Sequence, residues 1–93
     1  MIPTPWHWQF PKCSRWVPRN KTMRYAQIAK ILEEVEEANR EIASGNDLAY
    51  AKELMNVGHA VETALQEFDE GFLNLAKREV IRDNDMRGYY GGE

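Results

Sequence analysis

From Thr22 onward the chain keeps its apolar residues in helical register. Tyr25, Ile28, Ile31, Leu32, Val35, Ala38 and Ile42 recur at three- and four-residue intervals, and no Gly or Pro interrupts them before Gly45. The spacing predicts an amphipathic helix of about five turns or more. Ser44-Gly45-Asn46-Asp47 combines a left-handed C-terminal cap with the N-cap of a following helix, so the chain should reverse there. Tyr50, Leu54, Met55, Gly58, Val61, Leu65 and Phe68 then mark one face of a second helix, packed antiparallel to the first. Asp69-Glu70-Gly71 weakens the pattern. A third, shorter segment from Phe72 to about Met86 carries Leu75, Val80 and Ile81 and ends at Gly88, before Tyr89-Tyr90-Gly91-Gly92. No segment alternates with a two-residue period, so the expected fold is all-α: an antiparallel helical hairpin plus a third shorter helix. Met55 and the Leu and Ile stripe are expected in the core, with Glu62 and Glu67 as solvent or interface charges.

The first eighteen residues behave differently. They hold all four prolines (Pro3, Pro5, Pro11, Pro18) and all three tryptophans (Trp6, Trp8, Trp16), a density of proline that forbids a regular helix. Residues 1–21 therefore form an extended Pro/Trp-rich arm and residues 22–93 a helical domain. Tryptophans are too apolar to stand free in water, so the arm should dock on the body or on another subunit; stacking on nucleic-acid bases is the alternative.

At 93 residues and 10.8 kDa the chain is one small domain with a thin core, which favours association. A dimer or tetramer would join hairpins into units resembling four-helix bundles. No stretch approaches the roughly 18 apolar residues that cross a bilayer. The first ten residues lack the basic-then-apolar order of a signal peptide, so a cytoplasmic protein is expected. A single cysteine, Cys13, excludes an internal disulfide and a cysteine zinc cluster. The net charge of −3 hides an asymmetry: residues 1–32 carry six bases and no acid, and the rest carry all fifteen acids against six bases. A basic arm suits phosphates or the acidic face of a neighbouring subunit.

The acidic run has an ordered geometry. Counted outward from Gly45, Glu37 and Glu53 each lie eight residues away, and Glu34 and Asn56 eleven, so antiparallel pairing sets them on two rungs about 4.5 Å apart. Three carboxylates and an amide oxygen gathered there would repel unless a cation sat among them, and hard oxygen ligands suit Mg²⁺ or Mn²⁺. The alternative is a solvated face on which Glu34 pairs with Lys30, Glu37 with Arg40 and Glu41 with Lys52.

In this arrangement the sequence resembles the MazG-like, all-α nucleoside triphosphate pyrophosphohydrolases, whose motif is E-x-x-E followed by E-x-x-D. Glu34-Val35-Glu36-Glu37 and Glu53-Leu54-Met55-Asn56 fit it, with flanks Lys30–Val35 and Val57–Leu65 and the tail Asn84–Tyr90 similar to small phage-type members. The resemblance covers about residues 24–90. It implies hydrolysis of a (deoxy)nucleoside triphosphate to the monophosphate and pyrophosphate, with Mg²⁺ held by Glu34, Glu37, Glu53 and Asn56. Glu33 or a motif glutamate would take the proton of the attacking water. By the same resemblance Arg82, Asn84 and Arg87 contact phosphates, and Tyr89 and Tyr90 stack on the base. Two positions depart from the pattern: Asn56 stands where the family usually has Asp, and Asp83 where a lysine often precedes the asparagine.

Other residues carry weaker signals. His59 is read as lying on the flank opposite the acidic stripe, a hydrogen-bonded structural or interface histidine; His7 is assigned nothing. Cys13 has basic neighbours but no paired histidine in the sequence pattern to make it a nucleophile. Gly58 and Ala60 permit close approach, and so could serve an interface between chains. Two rival functions follow: a catalytically impaired relative that binds nucleotide or a partner, and a nucleic-acid-binding protein using the arm.

Overall fold

A computed structural model describes residues 4–91, and every regular element among them is an α-helix: α1 Lys21–Ser44, α2 Asp47–Leu65 and α3 Glu70–Met86. Each helix begins on a side-chain cap. Asn20 Oδ1 accepts the Met23 N–H at 2.9 Å, Asn46 Oδ1 that of Ala49 at 3.0 Å, and Asp69 Oδ1 that of Phe72 at 2.8 Å. Gly45 ends α1 at φ 71°, the left-handed conformation that glycine adopts without a Cβ penalty. No described helix is long and apolar enough to cross a membrane.

The chain divides into two compact units, Trp8–Glu67 and Met1–His7 with Phe68–Glu93. In the first, α1 packs against α2, and partners run in opposite order along the two helices. Arg24 meets Glu67 at 2.7 Å near one end, Gln27 Nε2 donates to the Ala60 carbonyl at 2.9 Å, and a Glu37 carboxylate oxygen lies within 4.8 Å of one of Glu53 farther along. The hairpin is therefore antiparallel.

Residues 9–13 lie along α2 and are held by its side chains. Glu62 accepts the N–H groups of Gln9 at 3.1 Å and Phe10 at 3.0 Å, while Gln66 accepts from Cys13 N–H at 2.8 Å and donates to the Cys13 carbonyl at 2.9 Å. An extended segment with no strand beside it needs acceptors from somewhere, and α2 supplies them. This corrects the expectation that Glu62 is a solvent or interface charge: it is only 8% exposed. The Phe10 ring stacks on His59 with centroids 5.1 Å apart and sits 3.5 Å from where a Gly58 Cβ would be. The small residue on α2 thus receives the arm.

The apolar stripes fare differently from their expectation as core. Ala38 is buried, but Ile28, Leu32, Val35, Leu54 and Val61 are exposed, and Met55 is 60% exposed. Periodicity reports which residues share a face, not whether anything covers that face. Trp8 is half-buried with Lys12 Nζ 5.1 Å from its ring, whereas Trp16 is 77% exposed, so of the two expected docking surfaces the chain's own body does not cover it.

In the second unit Asn74 Oδ1 accepts the Trp6 N–H, and Lys77 Nζ donates to Thr4 Oγ1 at 2.9 Å and to the Pro5 carbonyl at 3.2 Å. Phe68 stacks on Phe72 with centroids 4.9 Å apart. Leu73 is buried.

Candidate metal and ligand site

Glu34 and Glu37 project from α1 and Glu53 from α2, and one carboxylate oxygen of each lies within 4.8 Å of the other two. The convergence follows from the local sequence. Residues three apart share a helix face, which puts Glu34 beside Glu37, and the antiparallel hairpin brings Glu53 to them. All three are half-buried. Glu37 feels the result most: the Glu34 charge, then burial, then the charge and hydrogen bond of Glu53 raise its pKa above the usual carboxylate value, with Arg40 opposing weakly. Lys30 Nζ lies 3.1 Å from Glu34, and that bond with the charges of Glu33 and Glu34 raises the lysine's pKa. The Lys30–Glu34 pair of the solvated-face reading is therefore present alongside the cluster.

Asn56 Nδ2 approaches Glu53 Oε2 at 3.4 Å. An amide that turns its nitrogen to a carboxylate keeps its oxygen as an acceptor and ligand. Glu33 is exposed and stands outside the trio. The donor set is hard oxygen on two rigid helices, a chemistry that fits Mg²⁺ or Mn²⁺.

Glu34 and Asn56 also line a cleft of about 750 Å³ within the hairpin unit. Its other walls include Cys13 and Trp16 from the arm, Met23 and Gln27 from α1, and His59 from α2. His59 thus borders the same cleft as Asn56, contrary to its expected place on the far flank. Positions three apart on a helix are neighbours, and the 56, 59, 60, 63 spacing was the signal available in the sequence. Cys13 Sγ lies 3.7 Å from His59 Nε2 and 3.2 Å from Thr63 Oγ1. Thr63 already donates its hydroxyl proton to the His59 carbonyl at 3.0 Å, so it accepts from the thiol. This Cys–His neighbourhood has no contiguous sequence motif.

The residues expected to contact phosphate and base, Arg82, Asn84, Arg87, Tyr89 and Tyr90, belong to the second unit. There Arg82 pairs with Glu79 and lies 3.8 Å from Asp83, and Arg87 lies over the Tyr89 ring at 6.0 Å. The Asn84 carbonyl accepts the Tyr89 N–H at 2.9 Å, and Tyr89 and Tyr90 are exposed. Compared with known proteins, the chain matches no family model, no curated protein and no solved structure.

Proposed function

We propose that this chain is a Mg²⁺-dependent nucleoside triphosphate pyrophosphohydrolase, cleaving between the α and β phosphates to give a monophosphate and pyrophosphate. The observation that carries the reading is the convergence of Glu34, Glu37 and Glu53 from two helices, with Asn56 adjacent, at the motif spacing of the MazG-like enzymes the sequence resembles. These four residues would hold the ion. When bound, Mg²⁺ offsets the charge of the phosphate oxygens and acidifies water. The protein's own part is to fix the oxygens on rigid helices and to offer Glu33, an exposed carboxylate outside the trio, as the acceptor of the water's proton. Arg82, Asn84, Arg87, Tyr89 and Tyr90 are the residues whose substitution tests for the substrate contacts that the resemblance implies. The exposed apolar faces of α1 and α2 support assembly as a dimer or tetramer, which sedimentation equilibrium tests.

The deciding measurement is pyrophosphate release from a panel of ribo- and deoxynucleoside triphosphates with Mg²⁺. Release that Glu37→Ala abolishes supports the enzyme. Absence of release across the panel overturns it. A catalytically impaired relative is the second reading, favoured by the amide of Asn56 where the family usually has a carboxylate; gain of activity on Asn56→Asp would identify it.

A further inference from the structure

We propose that residues 14–21 form a docking surface for single-stranded nucleic acid, on which the Trp16 indole stacks on a base while Arg15, Arg19 and Lys21 hold the neighbouring phosphates. The proposal is independent of the triphosphate reading, since none of these residues belongs to the acidic cluster.

The segment is tied down at both ends. On one side Gln66 accepts from the Cys13 N–H and donates to the Cys13 carbonyl. On the other, Pro18 is fully buried and Asn20 caps α1 through the Met23 N–H. Between these anchors Trp16 sits at φ 70°, a conformation that ordinarily favours glycine, with its side chain 77% exposed. A strained backbone and an uncovered indole both cost the folded chain free energy. The anchors hold that cost in place on a ring open to a ligand.

The charge around the ring has one sign. Residues 1–32 contain no acid, and Arg15, Arg19 and Lys21 are exposed with no ion-pair partner among the described residues. The carboxylates that reach this part of the fold are engaged elsewhere: Glu62 accepts the Gln9 and Phe10 N–H groups, and Glu67 holds Arg24. A polyanion therefore meets uncompensated cations here.

The shape of the surface selects among polyanions and other partners. Apart from Trp16, every exposed residue from 12 to 21 is polar. A protein partner or a bilayer would need contiguous apolar surface to bury, and a lone indole does not supply it. Stacking needs only the ring. A duplex offers phosphates but keeps its base faces covered, whereas a single strand offers both at once.

The full-length chain is titrated against a short fluorescein-labelled oligothymidylate at low salt. Anisotropy should rise and tryptophan emission should fall, and log K should decline against log[salt] with a slope of about −2, the value for three neutralised phosphates on a single strand. Trp16→Gly relieves the backbone, so it should leave the melting temperature as high or higher while weakening the oligomer about tenfold. Arg15→Gln combined with Arg19→Gln should flatten the slope to about −0.7. Absence of binding at low salt overturns the proposal, as does unchanged affinity in Trp16→Gly or equal affinity for a duplex of the same length. Binding to phosphatidylserine vesicles and not to the oligomer would replace the strand with a membrane. Tryptophan emission that falls with protein concentration alone, and no longer does so in Trp16→Gly, would replace it with a second copy of the chain.

Discussion

Glu62 and Glu37 are the same side chain on the same hairpin in opposite surroundings. Glu62 is buried, and its two oxygens receive the N–H groups of Gln9 and Phe10. Glu37 is half-buried with Glu34 and Glu53 as nearest charged neighbours, and their charges work against its ionisation. A carboxylate surrounded by donors holds the fold together. One set among other carboxylates has negative charge that the fold leaves largely uncompensated, and a cation is the natural complement. The difference separates an acid that the fold pairs with donors from one that it leaves among other carboxylates.

The sharpest way to break that distinction is to remove each acid in turn. Glu37→Ala should lower pyrophosphate release by about 10³-fold, the scale of losing a metal ligand at a reacting centre, with the fold intact by circular dichroism. Glu62→Leu should do the reverse: it strands two backbone N–H groups and costs about 2–3 kcal/mol of stability. Urea unfolding measures the loss, and limited proteolysis should cut the arm faster. Equal stability of the Glu62 variant and the parent would show that the arm does not need its anchor.

Much of the hairpin was legible in the sequence because its signals are local. Gly45 and Asn46 mark the reversal, the intervals of three and four mark the helices, and counting from Gly45 places Glu37 opposite Glu53. What covers each helix face is a different kind of information. Met55 has the spacing of a core residue and is exposed, whereas Glu62 and Gln27 look like surface positions and are buried. Both reversals come from contacts between distant residues. The arm brings its N–H groups to Glu62, and Ala60 brings its carbonyl to Gln27. The Cys13–His59 neighbourhood was hidden for the same reason, since it exists only once residues 9–13 lie along α2.

A smaller effect sharpens the comparison at Asn56. Its amide nitrogen faces Glu53, where an aspartate would add a fourth negative charge. Asn56→Asp should tighten Mg²⁺ binding about tenfold by isothermal titration, since affinity for hard cations follows ligand charge. An unchanged or weaker affinity would show that position 56 lies outside the ion's reach.

The smallest effect concerns Glu37 in metal-free protein. Its pKa is raised in the folded chain by the charge of Glu34, burial, and the charge and hydrogen bond of Glu53. A group so raised favours folding while protonated: its contribution is complete below the unfolded carboxylate value and is lost as pH rises through the folded one. Glu37→Gln keeps the shape and removes the charge. The melting temperature of that variant relative to the parent should therefore climb as pH rises from the ordinary carboxylate value through the raised one, and level off above it. Saturating Mg²⁺ should abolish or invert the advantage, because the ion binds the folded parent and stabilises it by mass action. A pH-independent difference would mean the three carboxylates do not share one field. A difference that ignores Mg²⁺ would mean that they share it without holding the ion.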